Sequence, residues 1–229
     1  MYYLLARLRG PLYSVKRLDV YQVSTSYPFI PPSTLIGALG EGLGILGYCE
    51  PSDCLNYAKK LVRKAREVFL SDVKISVSPV ILKRARGVLE NKSLPGSFNE
   101  ITKYNDALVR EYTYSFNRQV LFGMVDGVDV VKKALYNIQR LGDTESMVSV
   151  EDVKEVEVEK CDKHEVNVVS DIKNATGRYL IFPAFDEQGK RRYFSVPLYF
   201  LGSYYEVGEI KYNRTLCAGE AIFPEGDDW

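Results

Sequence analysis

The chain has 229 residues, of which 46% are hydrophobic and 26% charged, so it can bury a core of its own as one large domain or two small ones. No apolar run approaches the roughly 20 residues that a membrane span needs, and the N-terminus lacks the features of a signal peptide, so we expect a cytoplasmic protein that contacts no membrane. The net charge is zero, which excludes an argument for nucleic-acid binding from overall charge alone.

Charge is distributed unevenly along the chain. Residues 1–92 contain 14 Lys or Arg and 7 Asp or Glu, whereas the remaining residues contain 16 and 23. Because cations bind a phosphate backbone, we expect any nucleic-acid surface mainly in the first 92 residues. The acidic stretch from Asp143 to Glu165 is expected to face solvent or a basic protein neighbour.

The first third of the chain predicts one strand and two helices. Residues 2–9 alternate as a strand, which a Gly-Pro pair ends. A Pro-Pro pair precedes a glycine-rich helix that continues to about Tyr48, with Ser33 or Thr34 available as its cap. Residues 55–69 predict a second helix, whose Lys and Arg side chains form the solvated face.

The middle of the chain predicts two strands that flank an insertion. Residues 73–82 (VKISVSPVIL) alternate as a strand, and residues 109–125 form a second one. The polar residues 87–108 between them predict a thumb-like projection. A helix over 128–139 and a strand over 147–160 with one wet face follow.

This order of elements predicts the fold class. Apart from the extra helix, it is the βαββαβ order of the ferredoxin-like fold, so we predict an α+β protein. The ferredoxin-like (RRM-like) domain spans residues 1–160, with the thumb insertion at about 87–108. Residues 161–175 predict a linker, and residues 176–229 predict a small β-rich C-terminal module.

The cysteines and the histidine do not predict a metal site. Cys49 and Cys54 are closely spaced, but Cys161, Cys217 and the single His164 lie far from them in sequence. We therefore expect reduced structural thiols, no metal and no cofactor.

Three sequence motifs resemble one protein family. They are LRGPLYS after the first strand (8–14), PPSTLIGALGEGLG at the first helix (31–44) and RLGDTESMVSV before the last core strand (140–150). These motifs are similar to those of the Cas five family in the CRISPR-associated RAMP superfamily. The chain most resembles the archaeal type I-A members.

The resemblance implies a non-catalytic subunit of a Cascade surveillance complex in antiviral defence. Such a subunit binds the 5′ handle of the guide RNA (crRNA). It contacts a backbone subunit of the Cas seven type and the large subunit, and helicase and nuclease subunits are further implied partners. The subunit is implied to interact with target DNA only indirectly. The resemblance implies neither a cofactor nor a metal.

The implied RNA contacts fall on four groups of residues. A helix N-terminus favours an anion, and cations interleaved with aromatic rings suit a single strand. The alternatives are a solvated loop after the first strand and, at 140–146, a turn whose own side chains cap its amides. The candidate RNA-binding residues are Tyr13, Lys16 and Arg17; Ser33 and Thr34; Lys83, Arg84, Arg86, Arg110, Tyr112, Tyr114 and Arg118 at the thumb stems; and Arg140, Gly142, Thr144 and Ser146.

No catalytic residue is predicted. Type I-C members of the family cut their own guide precursor with Tyr, Lys and His side chains, and no such trio can be placed here. His164 suits acid-base chemistry at neutral pH, but its acidic neighbours would repel a phosphodiester. Two alternatives stay open: a metal-independent endoribonuclease that processes CRISPR repeat RNA, and a scaffold that contacts only protein.

Overall fold

The structure is a computed structural model that describes residues 2–10, 12–20, 24–84, 96, 97, 99, 106–172, 175–226 and 229, with the backbone alone at 82–84 and 106–108. These residues contain the helices α1 (Pro32–Ile45), α2 (Cys54–Leu61) and α3 (Val128–Tyr136). None of these three helices has the length and apolar character needed to cross a membrane.

Many strands accompany the few helices, so the protein is mixed α/β. The first seven strands are β1 (Tyr2–Arg9), β2 (Leu12–Tyr13), β3 (Val62–Val68), β4 (Lys74–Arg84), β5 (Asp106–Tyr114), β6 (Arg118–Val125) and β7 (Ser149–Val156). The later strands are β8 (Val158–Cys161), β9 (Glu165–Val166), β10 (Ser170–Asp171), β11 (Thr176–Arg178), β12 (Leu180–Phe185), β13 (Arg191–Val196), β14 (Leu198–Phe200), β15 (Tyr205–Val207), β16 (Glu209–Lys211), β17 (Thr215–Ala218) and β18 (Ala221–Pro224).

A four-stranded sheet in the order β3-β6-β1-β7 forms the centre of the N-terminal part. All its neighbouring strands are antiparallel, with Leu4 opposite Phe122 and Ala6 opposite Val153. Because successive side chains of a strand point to opposite faces, Leu4 and Ala6 pack under the helices while Leu5 packs on the other side. The sheet therefore separates two apolar layers.

Strands from the last third of the chain cover the second face of this sheet. Val166, Ile210 and Phe223 are buried there against Leu5. The predicted linker, 161–175, contains β9 and β10, which pair with β16 and β13. That segment thus joins the sheets of the C-terminal part, and the division of the chain into domains stays a prediction.

β4 and β5 form a long antiparallel hairpin outside the core sheet. Its backbone register runs from Ser76 opposite Tyr114 to Arg84 opposite Asp106. The hairpin belongs to a sheet in the order β14-β15-β4-β5-β2. Most of the predicted thumb, 87–108, lies outside the described residues, which include its two stems.

The second helix is shorter than predicted. α2 ends at Leu61, and residues 62–68 form β3, which pairs with β6. The helical pattern placed Arg66 in solvent, but its side chain is 1% exposed and forms an ion pair with Glu187. A buried partner allows a charged residue to lie in a covered strand, and periodicity along the chain does not reveal such a partner.

The predicted second core strand is wrong, and the predicted third one is right in part. Residues 73–82 were predicted for the second place in the core sheet, but β3 occupies it, whereas β6 lies within the predicted range 109–125. The segment 109–125 is divided between β5 and β6, because Asn117 adopts a left-handed conformation with φ 56°. The single predicted strand therefore serves two different sheets.

The four cysteines are paired, contrary to the expectation of reduced thiols. Cys49 and Cys54 form a disulfide between the end of α1 and the start of α2, with Cα atoms 5.2 Å apart. Cys161 and Cys217 join β8 to β17, with Cα atoms 5.5 Å apart. The second pair is 56 residues apart in sequence, so only the antiparallel pairing of β8 and β17 brings it together.

Candidate nucleic-acid interface

A cleft of about 370 Å³ lies between the start of α1 and the loop that follows α3. It brings together predicted RNA-binding residues from two distant parts of the chain. Five of the sixteen candidates line it: Ser33, Thr34, Arg140, Gly142 and Thr144. Two of the three motifs that resemble the Cas five family therefore meet at one surface.

The start of α1 presents hydroxyl groups and a helix dipole to the cleft. Pro31 is the N-cap and Pro32 occupies the first turn, where its fixed φ suits a helix. No side chain caps this end, so the prediction that Ser33 or Thr34 caps the helix is wrong. Their hydroxyls line the cleft instead, at the positive end of the dipole, which favours an anion.

Three cleft residues of α1 were missed by the sequence reasoning: Gly37, Ala38 and Glu41. They follow Thr34 at spacings of three, four and seven residues, and such residues share one helix face. That periodicity is the feature that could have identified them. A side-chain carbon built at Gly37 would meet no atom within 4 Å, so this glycine leaves the cleft open.

Two hydrogen bonds of the Ser146 hydroxyl hold the loop after α3 in place. The Ser146 hydroxyl donates to Asp143 and accepts the backbone N–H of Ser14 at 2.9 Å. Ser146 is fully buried, so the prediction that it contacts RNA is wrong. Gly142 has φ 89°, and a side-chain carbon there would lie 2.7 Å from the Ser14 carbonyl oxygen. The loop therefore requires glycine at this position.

Arg140 is the cation of the cleft, and Glu41 holds it. Nε of Arg140 donates to the Glu41 carboxylate at 2.8 Å. The two side chains are 45% and 21% exposed, and an ion pair of this kind contributes only about 0–1 kcal/mol. An incoming phosphate can therefore replace Glu41 as the partner of Arg140.

The base of β5 is tied to the same loop. Arg110 forms an ion pair with Asp143, and the Tyr112 hydroxyl donates to Glu145. Burial and this hydrogen bond to Glu145 raise the pKa of Tyr112. Tyr112 is 3% exposed, so the prediction that its ring stacks on a base is wrong. Asp143 likewise neutralises much of the charge of Arg110.

Two further predicted RNA contacts lie in the core. Arg118 is 3% exposed, forms an ion pair with Glu67 at 2.6 Å and lies 4.2 Å from the centre of the Tyr13 ring. Tyr13 donates to the Tyr27 carbonyl at 3.1 Å, and burial raises its pKa. Neither side chain can reach RNA, because both are buried among the described residues.

Lys16 and Arg17 lie on the loop after β2, shortly after Ser14, which forms a backbone bridge with Gly142 of the cleft; neither is among the described residues that line the cleft. Lys16 is exposed, which leaves it available to a phosphate. Nε of Arg17 donates to Asp19 at 3.0 Å, and its guanidinium lies 5.2 Å from the centre of the Phe182 ring. Arg17 is therefore partly committed to protein contacts.

The other thumb-stem candidates are only partly described. Tyr114 is 40% exposed near the base of the hairpin. Lys83 and Arg84 belong to β4, and there the structure describes the backbone alone. Arg86 lies outside the described residues. Their predicted contacts with RNA stay predictions.

No histidine is among the described residues that line the cleft, so histidine cannot act as an acid or a base there. His164 is the single histidine of the chain and lies in the segment between β8 and β9. Its Nδ1 is 3.2 Å from the Tyr212 carbonyl oxygen. In the part of the chain that the structure describes, no three His, Cys, Asp or Glu side chains are grouped to hold a metal ion.

The fold is that of a known class of CRISPR-associated proteins. The crystal structure of a CRISPR protein from Archaeoglobus fulgidus superposes with a TM-score of 0.58 and covers 97% of both chains. Sequence identity in this pair is 16%, so the likeness concerns the fold.

Sequence comparisons are more specific. The family model described as CRISPR-associated protein (Cas5) matches residues 3–216. CRISPR-associated protein Cas5 of Thermoproteus tenax is 39% identical over 230 residues, which is all of both chains. The protein of the same description from Methanocaldococcus jannaschii is 32% identical over 170 residues, 69% of this chain and 65% of the relative. The chain belongs to the Cas5 family, as its three motifs predicted.

Proposed function

We propose that this chain is the non-catalytic crRNA-binding subunit of a type I Cascade complex of the archaeal I-A kind. Its cleft holds the 5′ handle of the guide RNA. The observation that carries this proposal is the meeting of Thr34, Arg140 and Gly142 in one open cleft. A helix N-terminus, hydroxyl groups and a guanidinium bind phosphate without reading bases, so the clamp tolerates sequence changes.

The order of the strands supports a ferredoxin-like core for this clamp. With the β4-β5 hairpin and the short β2 that pairs with β5 set aside, the strands and helices up to β7 follow the order βαββαβ, with α2 as an extra helix. The sheet order β3-β6-β1-β7 is antiparallel throughout, as that fold requires. The ion pair of Arg110 with Asp143 then places the insertion beside the cleft.

The acidic edge of the core sheet suits a protein neighbour. β7 is the outer strand of its sheet, and the exposed Glu151, Glu155 and Glu157 lie along it or directly after it, although Arg9 pairs with Glu151 and Lys132 with Glu155. Carboxylates repel phosphate and attract a basic protein surface. We assign this edge to the backbone or large subunit of the cytoplasmic complex.

Photocrosslinking tests the proposed function. The full-length protein is incubated with labelled CRISPR repeat RNA in the absence of metal, irradiated and digested. We expect intact RNA that is crosslinked to peptides containing residues 33–41 and 140–144. Site-specific cleavage would identify an endoribonuclease instead. An assembled complex without RNA crosslinks to this subunit would identify a scaffold that contacts only protein.

The Glu41→Gln variant is expected to bind handle RNA about two- to fivefold more tightly, because Arg140 no longer has to leave an ion pair worth up to about 1 kcal/mol. Fluorescence anisotropy measures the change. Glu50→Gln is the matched control, since it removes an exposed carboxylate outside the cleft. An equal gain in both variants would attribute the effect to net charge and contradict the role of Arg140.

A further inference from the structure

The hairpin of β12 and β13 has an exposed face that the cleft does not include. Tyr193 is 54% exposed, Ile181 49% and Phe185 41%. Backbone pairing places Tyr193 opposite Pro183 and Arg191 opposite Phe185. Because alternate residues of a strand share a face, the three exposed apolar side chains and Arg191 lie on the same side of the hairpin.

Two cations of this hairpin are available to a ligand. Lys190 and Arg191 are exposed, and neither side chain has a hydrogen bond or ion pair among the described residues. Arg192 differs, because it forms ion pairs with Asp186 at 2.8 Å and with Asp171 at 3.3 Å. Both carboxylates are buried and pair with Arg192. Lys190 and Arg191 therefore keep their positive charge beside the aromatic rings of the exposed face.

The hairpin lies close to the cleft. Ser14 forms a backbone bridge with Gly142 of the cleft loop. Three residues later, the guanidinium of Arg17 lies 5.2 Å from the centre of the Phe182 ring in β12. Three residues span at most about 10 Å, and the Arg17 side chain bridges the remaining distance to Phe182. Phe182 is buried and points away from Tyr193, so a nucleic-acid strand that leaves the cleft has to pass around the edge of the hairpin to reach its exposed face.

We propose that the β12-β13 hairpin is a second binding surface for single-stranded RNA that leaves the cleft. Lys190 and Arg191 bind phosphates, and Tyr193 stacks on a base. Cations beside an exposed aromatic ring are the combination that binds a single strand without reading its sequence. The inference rests on the proposed function, because the RNA has to occupy the cleft as well.

Two RNAs separate the two surfaces in binding experiments with the full-length protein. The short RNA fills the cleft alone, and the long RNA has the same 5′ sequence extended by several nucleotides. Wild type is expected to bind the long RNA more tightly. Lys190→Ala/Arg191→Ala should bind the short RNA normally and lower the salt slope for the long RNA by about 1.4, or about 0.7 for each lost contact. Tyr193→Ala should weaken binding of the long RNA about 5- to 150-fold.

The matched control is Lys160→Ala/Lys163→Ala, which removes the same charge from exposed positions in and after β8. It should leave the binding of both RNAs unchanged. Hairpin variants that bind the long RNA like wild type would overturn the inference, and their failure to assemble with other subunits would assign the hairpin to a protein partner. If wild type binds neither RNA, the proposed function itself fails.

Discussion

The Arg140→Ala variant is expected to bind handle RNA about 10- to 150-fold more weakly than wild type. A hydrogen bond to a charged group contributes about 1.5–3 kcal/mol. Among the described residues that line the cleft, Arg140 is the single cation. Its removal also leaves Glu41 unpaired in the cleft, where its carboxylate repels phosphate. Fluorescence anisotropy with the full-length protein measures the loss.

A double variant separates these two contributions. Glu41→Gln/Arg140→Ala should recover the part of the loss that Glu41 causes, and the departure of the double variant from the sum of the two single variants is the coupling energy of the pair. Lys211→Ala is the control, because it removes an exposed cation paired with Glu209 at 3.1 Å in the C-terminal part. Unchanged RNA affinity of Arg140→Ala would contradict the assignment of the cleft.

A large side chain at Gly37 blocks the cleft without removing a charge. The space beside Gly37 is open, so Gly37→Phe should abolish RNA binding while the protein stays folded. Gly37→Ala is the control for size, and it should raise stability by up to about 1 kcal/mol and keep RNA binding. Normal RNA binding by Gly37→Phe would place the RNA elsewhere.

The Glu67→Gln variant is expected to lower the free energy of unfolding by about 3–5 kcal/mol, because it leaves a buried cation without its counterion. Glu67 and Arg118 are 2% and 3% exposed, and their side chains are 2.6 Å apart. Glu67 also accepts the backbone N–H of Ile30 at 2.7 Å, so it joins three parts of the chain. Chemical denaturation measures the change.

Removing both charges tests this explanation. Glu67→Leu/Arg118→Met should recover much of the loss, except for about 1–3 kcal/mol from the unsatisfied N–H of Ile30. A double variant as unstable as the worse single variant would argue against a charge effect. The folded Arg118→Met protein should bind RNA like wild type, and weaker binding at unchanged stability would restore Arg118 as an RNA contact.

The sequence by itself determined the family and the elements that depend on neighbouring residues. Three motifs were sufficient for the family. The alternation of residues 2–9, the prolines before Ser33 and the periodicity of residues 128–139 predicted β1, the start of α1 and α3, and all three are observed. These features are local, because backbone dihedrals and side-chain spacing act over a few residues.

Only the tertiary structure decided which predicted residues can meet RNA. Arg118 is the first residue of β6 and Arg140 lies in the loop after α3, and both were predicted contacts. Arg118 is buried against Glu67, 51 residues away, whereas Arg140 lines a cleft with Glu41, 99 residues away. Partners so distant follow from the pairing of β3 with β6 and from the packing of α1 beside the loop after α3. Local sequence patterns contain no information on such contacts, so the sequence predicted the family and five of the residues that line the cleft, but not which of the other candidates are buried.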